Sequence, residues 1–334
     1  MNLFVTGGAG YVGSHCVRAL CRAGHHVVVL DNLVNGGHRE AVDQRARLVV
    51  GDLADAGLVD QLFAAGSFDG VLHFAALLDV NESVRMPLEY YRNNVAHSVA
   101  LMQAMQRHGV RRLVFSSTCA TYGVPPAAPI TEDMPQNPIS PYGRTKLAVE
   151  WAMRDSAAAW GLGATALRYF NASGAAADAT LGEDRNPEYH LIPLVLQVAL
   201  GQRKDIRIFG EDYPTRDGTC IRDYIHVEDL AEVHRLAIET QPPAEFRYFN
   251  VGTGEGVSVR ELIEVARDVT GHAIPALPAP RREGDPPELY ADASKVLREL
   301  GWRATYTDIR RTIETAWNWH RAHPQGYATP RKAD

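Results

Sequence analysis

Tyr142 and Lys146 stand four residues apart in Tyr142-Gly143-Arg144-Thr145-Lys146, directly after Pro141. On a helix that spacing projects both side chains from one face. Ser116-Ser117-Thr118 ends an apolar run that precedes them. A hydroxyl, a phenol and an ammonium can therefore converge, and together they can move a proton to or from a substrate hydroxyl. A phenol has a pKa near ~10, and bringing it to ~7 takes roughly 4 kcal/mol. A cation at ~4 Å, in an effective dielectric of ~20, supplies about that much. In this reading Tyr142 is the base, Lys146 the cation, and Thr118 orients the hydroxyl and passes its proton. Singly, each has a plainer reading: a buried aromatic at a helix start, a solvated charge, a strand-end cap. Their joint occurrence beside a dinucleotide motif carries the chemistry.

That motif is Thr6-Gly7-Gly8-Ala9-Gly10-Tyr11-Val12-Gly13, between an apolar run and an amphipathic one. Gly7, Gly10 and Gly13 allow a tight turn and close approach of backbone to a pyrophosphate. The helix opening at Tyr11 and Val12 supplies free N–H groups. Asp31 ends the next apolar run, eighteen residues after Gly13. A carboxylate there accepts from a ribose diol and repels a 2′-phosphate, which favours NAD over NADP. Asp52 and Leu53 are placed to meet the adenine. His73-Phe74-Ala75-Ala76 ends a further run, where small residues let a cofactor lie close to the backbone. The nicotinium ring would add to the positive charge near Tyr142.

These residues need strand ends and helix starts to hold them. Strands are expected at Leu3–Thr6, His26–Leu30, Arg47–Val50, Gly70–Phe74, Arg112–Ser117 and Ala164–Arg168. Helices are expected at Tyr11–Ala23, Gly57–Ala65, Leu88–Arg107 and Pro141–Trp160. The alternation predicts α/β architecture: a doubly wound parallel Rossmann sheet with its ligand at the carboxyl ends of the strands. Residues 1–170 form the cofactor domain. After Asn171, Pro and Gly cluster, and residues 171–330 read mainly as a smaller, loop-rich α/β substrate lobe. Segments near 225–250 return to complete the sheet. Shorter helices are expected at Pro193–Leu200, Val227–Thr240 and Val259–Thr270, and fraying from about His323.

The bulk properties narrow the field. The chain has 334 residues, 46% of them hydrophobic, enough for a substantial core. A formal net charge of -6 argues against a nucleic-acid partner. Cys16, Cys21, Cys119 and Cys220 show no metal-ligand spacing, so no metal is expected. So few thiols fit a reducing compartment, and no signal sequence or bilayer-length apolar run appears. The expected location is the cytoplasm.

On these residues the chain resembles the extended short-chain dehydrogenase/reductase family and, within it, the UDP-glucose 4-epimerases. The resemblance runs from Met1 to about Tyr327. It rests on Gly7–Gly13, Asp31-Asn32, Pro87–Tyr91, Ser116–Gly123, Tyr142–Lys146 and Arg168–Asn171. In the second lobe it rests on Gly182–Gln197, Phe209–Val227, Pro280–Asp285 and Trp317–His320. The second-lobe segments are the more specific. The resemblance implies NAD-dependent inversion of carbon 4, interconverting UDP-galactose and UDP-glucose through a 4-keto sugar that turns over in its pocket. It adds Asn32, Asn93, Ser116 and Tyr169 to the cofactor contacts. It assigns Asn171 to the diphosphate, His190 and Leu191 to the uridine, Phe209 to the uracil, Arg222 and Arg282 to the phosphates and Asp285 to the ribose. Many relatives carry Asn at the position of His190.

Two departures stand out. Leu78 replaces a Lys that many relatives aim at the cofactor, which weakens the expected retention of NAD. Leu289 stands where relatives use an aromatic to wall off the sugar's 2-substituent. Leu is intermediate, so glucose and galactose are the main pair with a possible secondary activity on UDP-N-acetylhexosamines. Related dehydratases place acidic residues after the strand-end Thr; Cys119-Ala120 stand there instead. Decarboxylases keep a nearby Glu, absent from Thr118 to Gly123. A non-catalytic dinucleotide sensor is the other alternative, and such a protein is expected to lose the Tyr/Lys pair. Relatives are usually homodimers joined through two helices, here near Leu88–Arg107 and Pro141–Trp160. Val95, Val99, Leu101, Met102 and Met105 exceed what one core face needs, or are core.

Overall fold

The computed structural model describes residues 1–282 and 284–328. Six strands alternate with helices in the first half of the chain. The strands are β1 (Asn2–Thr6), β2 (His26–Asp31), β3 (Arg47–Val50), β4 (Gly70–His73), β5 (Arg112–Thr118) and β6 (Gly163–Tyr169). The helices are α1 (Tyr11–Arg22), α2 (Ala56–Ala65), α3 (Val80–Arg85), α4 (Pro87–Tyr90), α5 (His97–Arg107) and α6 (Pro141–Trp160). The remaining strands are β7 (Asn171–Ser173), β8 (Ile206–Phe209), β9 (Ile221–Arg222), β10 (Tyr224–His226), β11 (Phe246–Val251), β12 (Val257–Ser258), β13 (Ala276–Ala279) and β14 (Glu288–Leu289). Between them run α7 (Leu191–Ala199), α8 (Val227–Glu239), α9 (Val259–Thr270), α10 (Ser294–Leu300) and α11 (Ile309–Ala322).

The central sheet has seven parallel strands in the order β11-β6-β5-β4-β1-β2-β3. Its strands are apolar on both faces because helices cover both. Leu3, Val5, Leu72 and Val114 pack with Val17 and Leu20 of α1 and Leu230 and Val233 of α8. Phe4, Val71, Leu113 and Phe115 point the other way, onto Phe63 of α2, Leu101 and Met105 of α5 and Met153 of α6. Side chains alternate along a strand, so one strand feeds both cores. Each fully buried Leu or Phe contributes about 1.5–3 kcal/mol relative to exposure. Strand order reverses between β1 and β4, which opens a crevice at their carboxyl ends.

A third cluster underlies the remaining lobe. Ile192 and Val195 of α7, Leu262 and Ile263 of α9 and Ile313 and Trp317 of α11 pack against Ile206 and Ile208. β8 pairs with β13, β7 with β10, and β9 with β12 and β14. Ser258 and Glu261 form a reciprocal capping box that starts α9.

Several expectations shift. The helix expected from Leu88 is continuous from Pro87 to Arg107 but carries a π-helical stretch over Tyr91–Ala96. Leu101, Met102 and Met105 are core, at 1%, 5% and 0% exposure, and Val95 and Val99 pack against that core. They are not a surface surplus. Within the described residues the chain does not fray at His323: α11 ends at Ala322, and Tyr327 then docks, its N–H donating to Asp184 and its hydroxyl to the Gly182 carbonyl; the rest of the expected frayed end, residues 329–334, lies outside the described residues. Among the described residues, no helix is long and apolar enough to cross a membrane.

Candidate active site

Two clefts meet at the switch point. The first, of about 200 Å³, lies over the carboxyl ends of β1, β2 and β4. Gly7, Gly10, Tyr11, Val12 and Gly13 form one wall, Asp31, Asn32, Asp52 and Leu53 another, and Phe74, Ala75, Ala76, Asn93, Ser116 and Tyr169 the floor and inner end. The glycines are demanded locally. Gly7 has φ +72° and a Cβ there would stand 2.5 Å from the Ala75 nitrogen; one on Gly13 would stand 2.1 Å from the Gly7 carbonyl oxygen. No side chain caps the start of α1, so its first N–H groups face the cleft free for an anion.

Asp31 is held for its task. Oδ2 accepts from the Ala9 N–H at 2.9 Å and Oδ1 from the Leu33 N–H at 2.8 Å. Burial pushes its pKa up, and those two donors pull it back. Asp52 accepts from Asn32 Nδ2 at 2.9 Å and from the Ala54 N–H, and the latter bond holds its carboxyl below its usual range. This donor set fits a dinucleotide: free amides for the pyrophosphate, a fixed carboxylate for the ribose diol, and a narrow glycine-lined wall.

The second cleft, of about 410 Å³, opens toward the other lobe. Thr118, Tyr142, Asn171, His190, Leu191, Phe209, Arg222, Arg282 and Asp285 all line it. Tyr11, Val12, Leu78, Tyr169, Glu183 and Arg185 line both clefts and mark their junction. At the far end the Arg282 guanidinium lies 4.0 Å from the centre of the Phe209 ring. Arg222 is paired with Asp285, so the two residues the sequence assigned to phosphate and ribose hold each other. Asn171 Nδ2 donates to the Asp223 carbonyl at 3.0 Å.

His190 brings a neighbourhood that Asn would not. Its Nδ1 lies 2.6 Å from Glu183 Oε1, and its N–H donates to Glu188. Burial opposes ionisation of Glu183, yet His190 and Arg185 hold its pKa below the usual value. Glu183 and Arg185 were missed as cleft residues by sequence reasoning. They sit inside the Gly182–Gln197 segment, but nothing in that segment says which side chains turn inward.

The candidate base, Tyr142, lines the second cleft, as does Tyr169 of the junction. Ser140 caps α6 by accepting from the Gly143 N–H at 3.1 Å, and Pro141 occupies the first turn. A Cβ on Gly143 would stand 2.6 Å from the Ala120 carbonyl, so glycine is what lets α6 press against the Thr118–Ala120 turn. The π-helical stretch braces the other side, Asn94 Nδ2 donating to Thr145 and to the Leu77 carbonyl. Lys146 is 3% exposed and lines neither cleft. It lies beneath, its Nζ donating to the Ser116 carbonyl at 2.9 Å and sitting 4.8 Å over the Phe115 ring.

The electrostatics correct one expectation. In the protein alone the Tyr142 phenol is pushed up, not down: burial dominates, Tyr169 adds to it, and a hydrogen bond with Thr118 pulls partly back. Burial also drives Lys146 down, to about 7. The second correction is Leu289. It does not line the cleft but packs with Tyr122, Ile130, Phe170 and Ala291 behind the wall that Cys119 and Phe170 form.

The comparisons agree with this geometry. The NAD dependent epimerase/dehydratase family matches residues 3–252. A protein of Lacticaseibacillus casei named UDP-glucose 4-epimerase is 49% identical over 328 residues, covering 98% of this chain and 99% of its own. One of Corynebacterium glutamicum with the same name is 52% identical over 317 residues, 95% of each chain. A crystal structure of the Bifidobacterium longum UDP-glucose 4-epimerase with NAD+ and UDP superposes with a TM-score of 0.93 at 38% identity, covering 98% of this chain and all of that one. With the family matched across most of its length and relatives near half-identical end to end, the chain belongs to the NAD dependent epimerase/dehydratase family.

Proposed function

We propose that this protein inverts carbon 4 of a UDP-hexose, interconverting UDP-galactose and UDP-glucose, with NAD in the first cleft and the sugar nucleotide in the second. One observation carries the reading: Tyr142 and Thr118 line a cleft shared with Phe209, Arg222 and Arg282, and Thr118 is strand-paired with Tyr169, which also lines the dinucleotide cleft. Relatives that bear the epimerase name along their whole length support it.

Tyr142 takes the proton of the sugar 4-hydroxyl, which Thr118 orients between them. NAD held along Gly7–Gly13 and Asp31 would supply the acceptor for the hydride of carbon 4 and its return to the opposite face. Tyr142 then reprotonates the oxygen of the inverted sugar. Arg222, Arg282 and Asn171 grip the diphosphate and Phe209 stacks on the uracil. Cys119 and Ala120, both small, border the sugar end and leave it room to turn. The same room favours a secondary turnover of UDP-N-acetylhexosamines, since Leu289 lies behind the wall rather than in it. A rate on UDP-N-acetylglucosamine below detection, with UDP-galactose turned over, would remove that secondary activity.

We place the protein in the cytoplasm, on its free thiols, and assign it a homodimer. The supporting surface includes Leu88 and Trp151, which lie on the two helices expected to join the subunits. Leu88, Val84, Trp151 and Met86, at 80%, 64%, 51% and 50% exposure, crowd α3, α4 and α6. A monomeric mass by light scattering would sink the dimer. The enzyme assay that tests the reaction itself closes the Discussion.

A further inference from the structure

Behind Tyr142 lies a buried ion pair that the reaction above does not use. Glu150 follows Lys146 by one turn of α6, so both leave the same face of the helix. Glu150 is 1% exposed and Arg168, on β6, 3%. Arg168 Nη2 donates to Glu150 Oε2 at 2.6 Å and its Nε to Oε1 at 3.1 Å. The Ser117 hydroxyl donates to Oε1, and Gln136 reaches Oε2 at 3.5 Å. Arg168 is fixed in turn: its Nη1 donates to the Tyr122 hydroxyl at 2.8 Å, and its guanidinium lies 4.6 Å from the Tyr248 ring centre.

Such a pair is a poor stability device. Desolvation of both charges offsets their attraction, and apolar residues of equal volume often do as well. Lys146 supplies a reason for it. Its ammonium is buried, and among the described residues its one hydrogen bond runs to the Ser116 carbonyl. The titratable groups that bear on it are Tyr142, its ring centre 5.9 Å away, Glu150 on α6 and His73 on β4, while Arg168 reaches it only through Glu150. His73 is held neutral by burial, its pKa near 3. Burial disfavours the ammonium, and Glu150 is the group that acts against burial.

We propose that Glu150, oriented by Arg168 and Ser117, is a positioning residue that keeps Lys146 charged and so sets the pH range over which Tyr142 works. This rests on the epimerase reading above. Arg168 locks the carboxylate in one rotamer and makes its burial tolerable. Without the carboxylate, Lys146 loses its proton at lower pH, and the alkaline limb of activity moves toward acid.

The test is the pH profile of kcat and kcat/KM for UDP-galactose epimerisation by the NAD-loaded protein. Glu150→Gln should move the alkaline limb by about one pH unit toward acid. Glu150→Asp, which keeps the charge, should restore most of it. Breaking a buried pair can unfold a protein, so Glu150→Gln/Arg168→Met, which leaves no unpaired charge in the core, is the control; it should shift the same way. Thermal melts establish which variants are folded. A folded double variant whose alkaline limb coincides with the parent's, while Tyr142→Phe is inactive, overturns this inference and leaves the epimerase reading standing. A parent protein inactive on every UDP-hexose overturns both.

Discussion

Lys146 Nζ stands 5.9 Å from the centre of the Tyr142 ring, one helical turn away, while its own hydrogen bond goes to Ser116. The ammonium therefore acts on the phenol mainly through space. At ~6 Å, with an effective dielectric of ~20, a unit charge contributes about 3 kcal/mol. That is roughly two pKa units, which does not overcome both the ordinary value and the upward push of burial. The positive ring of bound NAD+ has to supply the rest. In the NAD-free protein, ultraviolet difference titration should place the Tyr142 ionisation above that of an ordinary tyrosine, with Tyr142→Phe as the blank. Loading NAD+ should bring it down toward neutrality. Lys146→Met should lower kcat by roughly a hundredfold or more.

The glycine wall leads to a second expectation. A methyl group on Gly13 would be driven into the Gly7 carbonyl, and one on Gly7 into the Ala75 backbone at a positive φ. Neither neighbour is a side chain that can swing away. Gly13→Ala should purify without NAD and melt below the parent, read by the absorbance of released nucleotide and by calorimetry. A fully NAD-loaded Gly13→Ala protein would contradict the close-approach argument.

What the sequence made legible follows from how local the constraint is. The Gly7–Gly13 turn, Asp31 and the start of α6 at Pro141 are set by backbone rules that name residue types. They read directly. Leu289 did not, because whether its side chain faces the cleft or the Tyr122–Phe170 cluster depends on the pairing of β14 with β9. Leu101, Met102 and Met105 were ambiguous for the same reason: an apolar stripe does not say whether a sheet or another subunit covers it. The π-helical stretch at Tyr91–Ala96 was not legible, since Asn93, Asn94 and Val95 weaken a helix without specifying which register it takes. Glu183 and Arg185 reach the clefts only through a loop pinned by distant Tyr327.

Leu78 lines both clefts, at their junction. An apolar side chain there contributes no charge or hydrogen bond to a dinucleotide. Leu78→Lys should slow the release of NAD, measured by exchange against labelled cofactor after dilution. An unchanged release rate would show that position 78 does not govern retention.

Buried histidines make the fold sensitive to acid. Burial lowers the pKa of His73 and His226 to about 3, and of His15, His234 and His320 to about 4. Each stays neutral in the folded protein where the unfolded chain binds a proton. Between pH ~6.5 and pH ~4 the unfolded state therefore holds more protons, and stability falls as pH falls, by at most about 1.4 kcal/mol per group per pH unit. Urea midpoints should drop steadily across that window. His234→Phe should flatten the slope, and an identical slope would contradict the burial of that ring in the neutral form.

The most direct measurement of the central claim is a coupled assay of the purified, NAD-loaded protein on UDP-galactose, with UDP-glucose detected by an added UDP-glucose dehydrogenase. The account predicts steady formation of UDP-glucose by the parent, and a loss of about a thousandfold or more in Tyr142→Phe, with NAD and UDP binding intact. No product from NAD-loaded parent protein, or undiminished product from Tyr142→Phe, would contradict it.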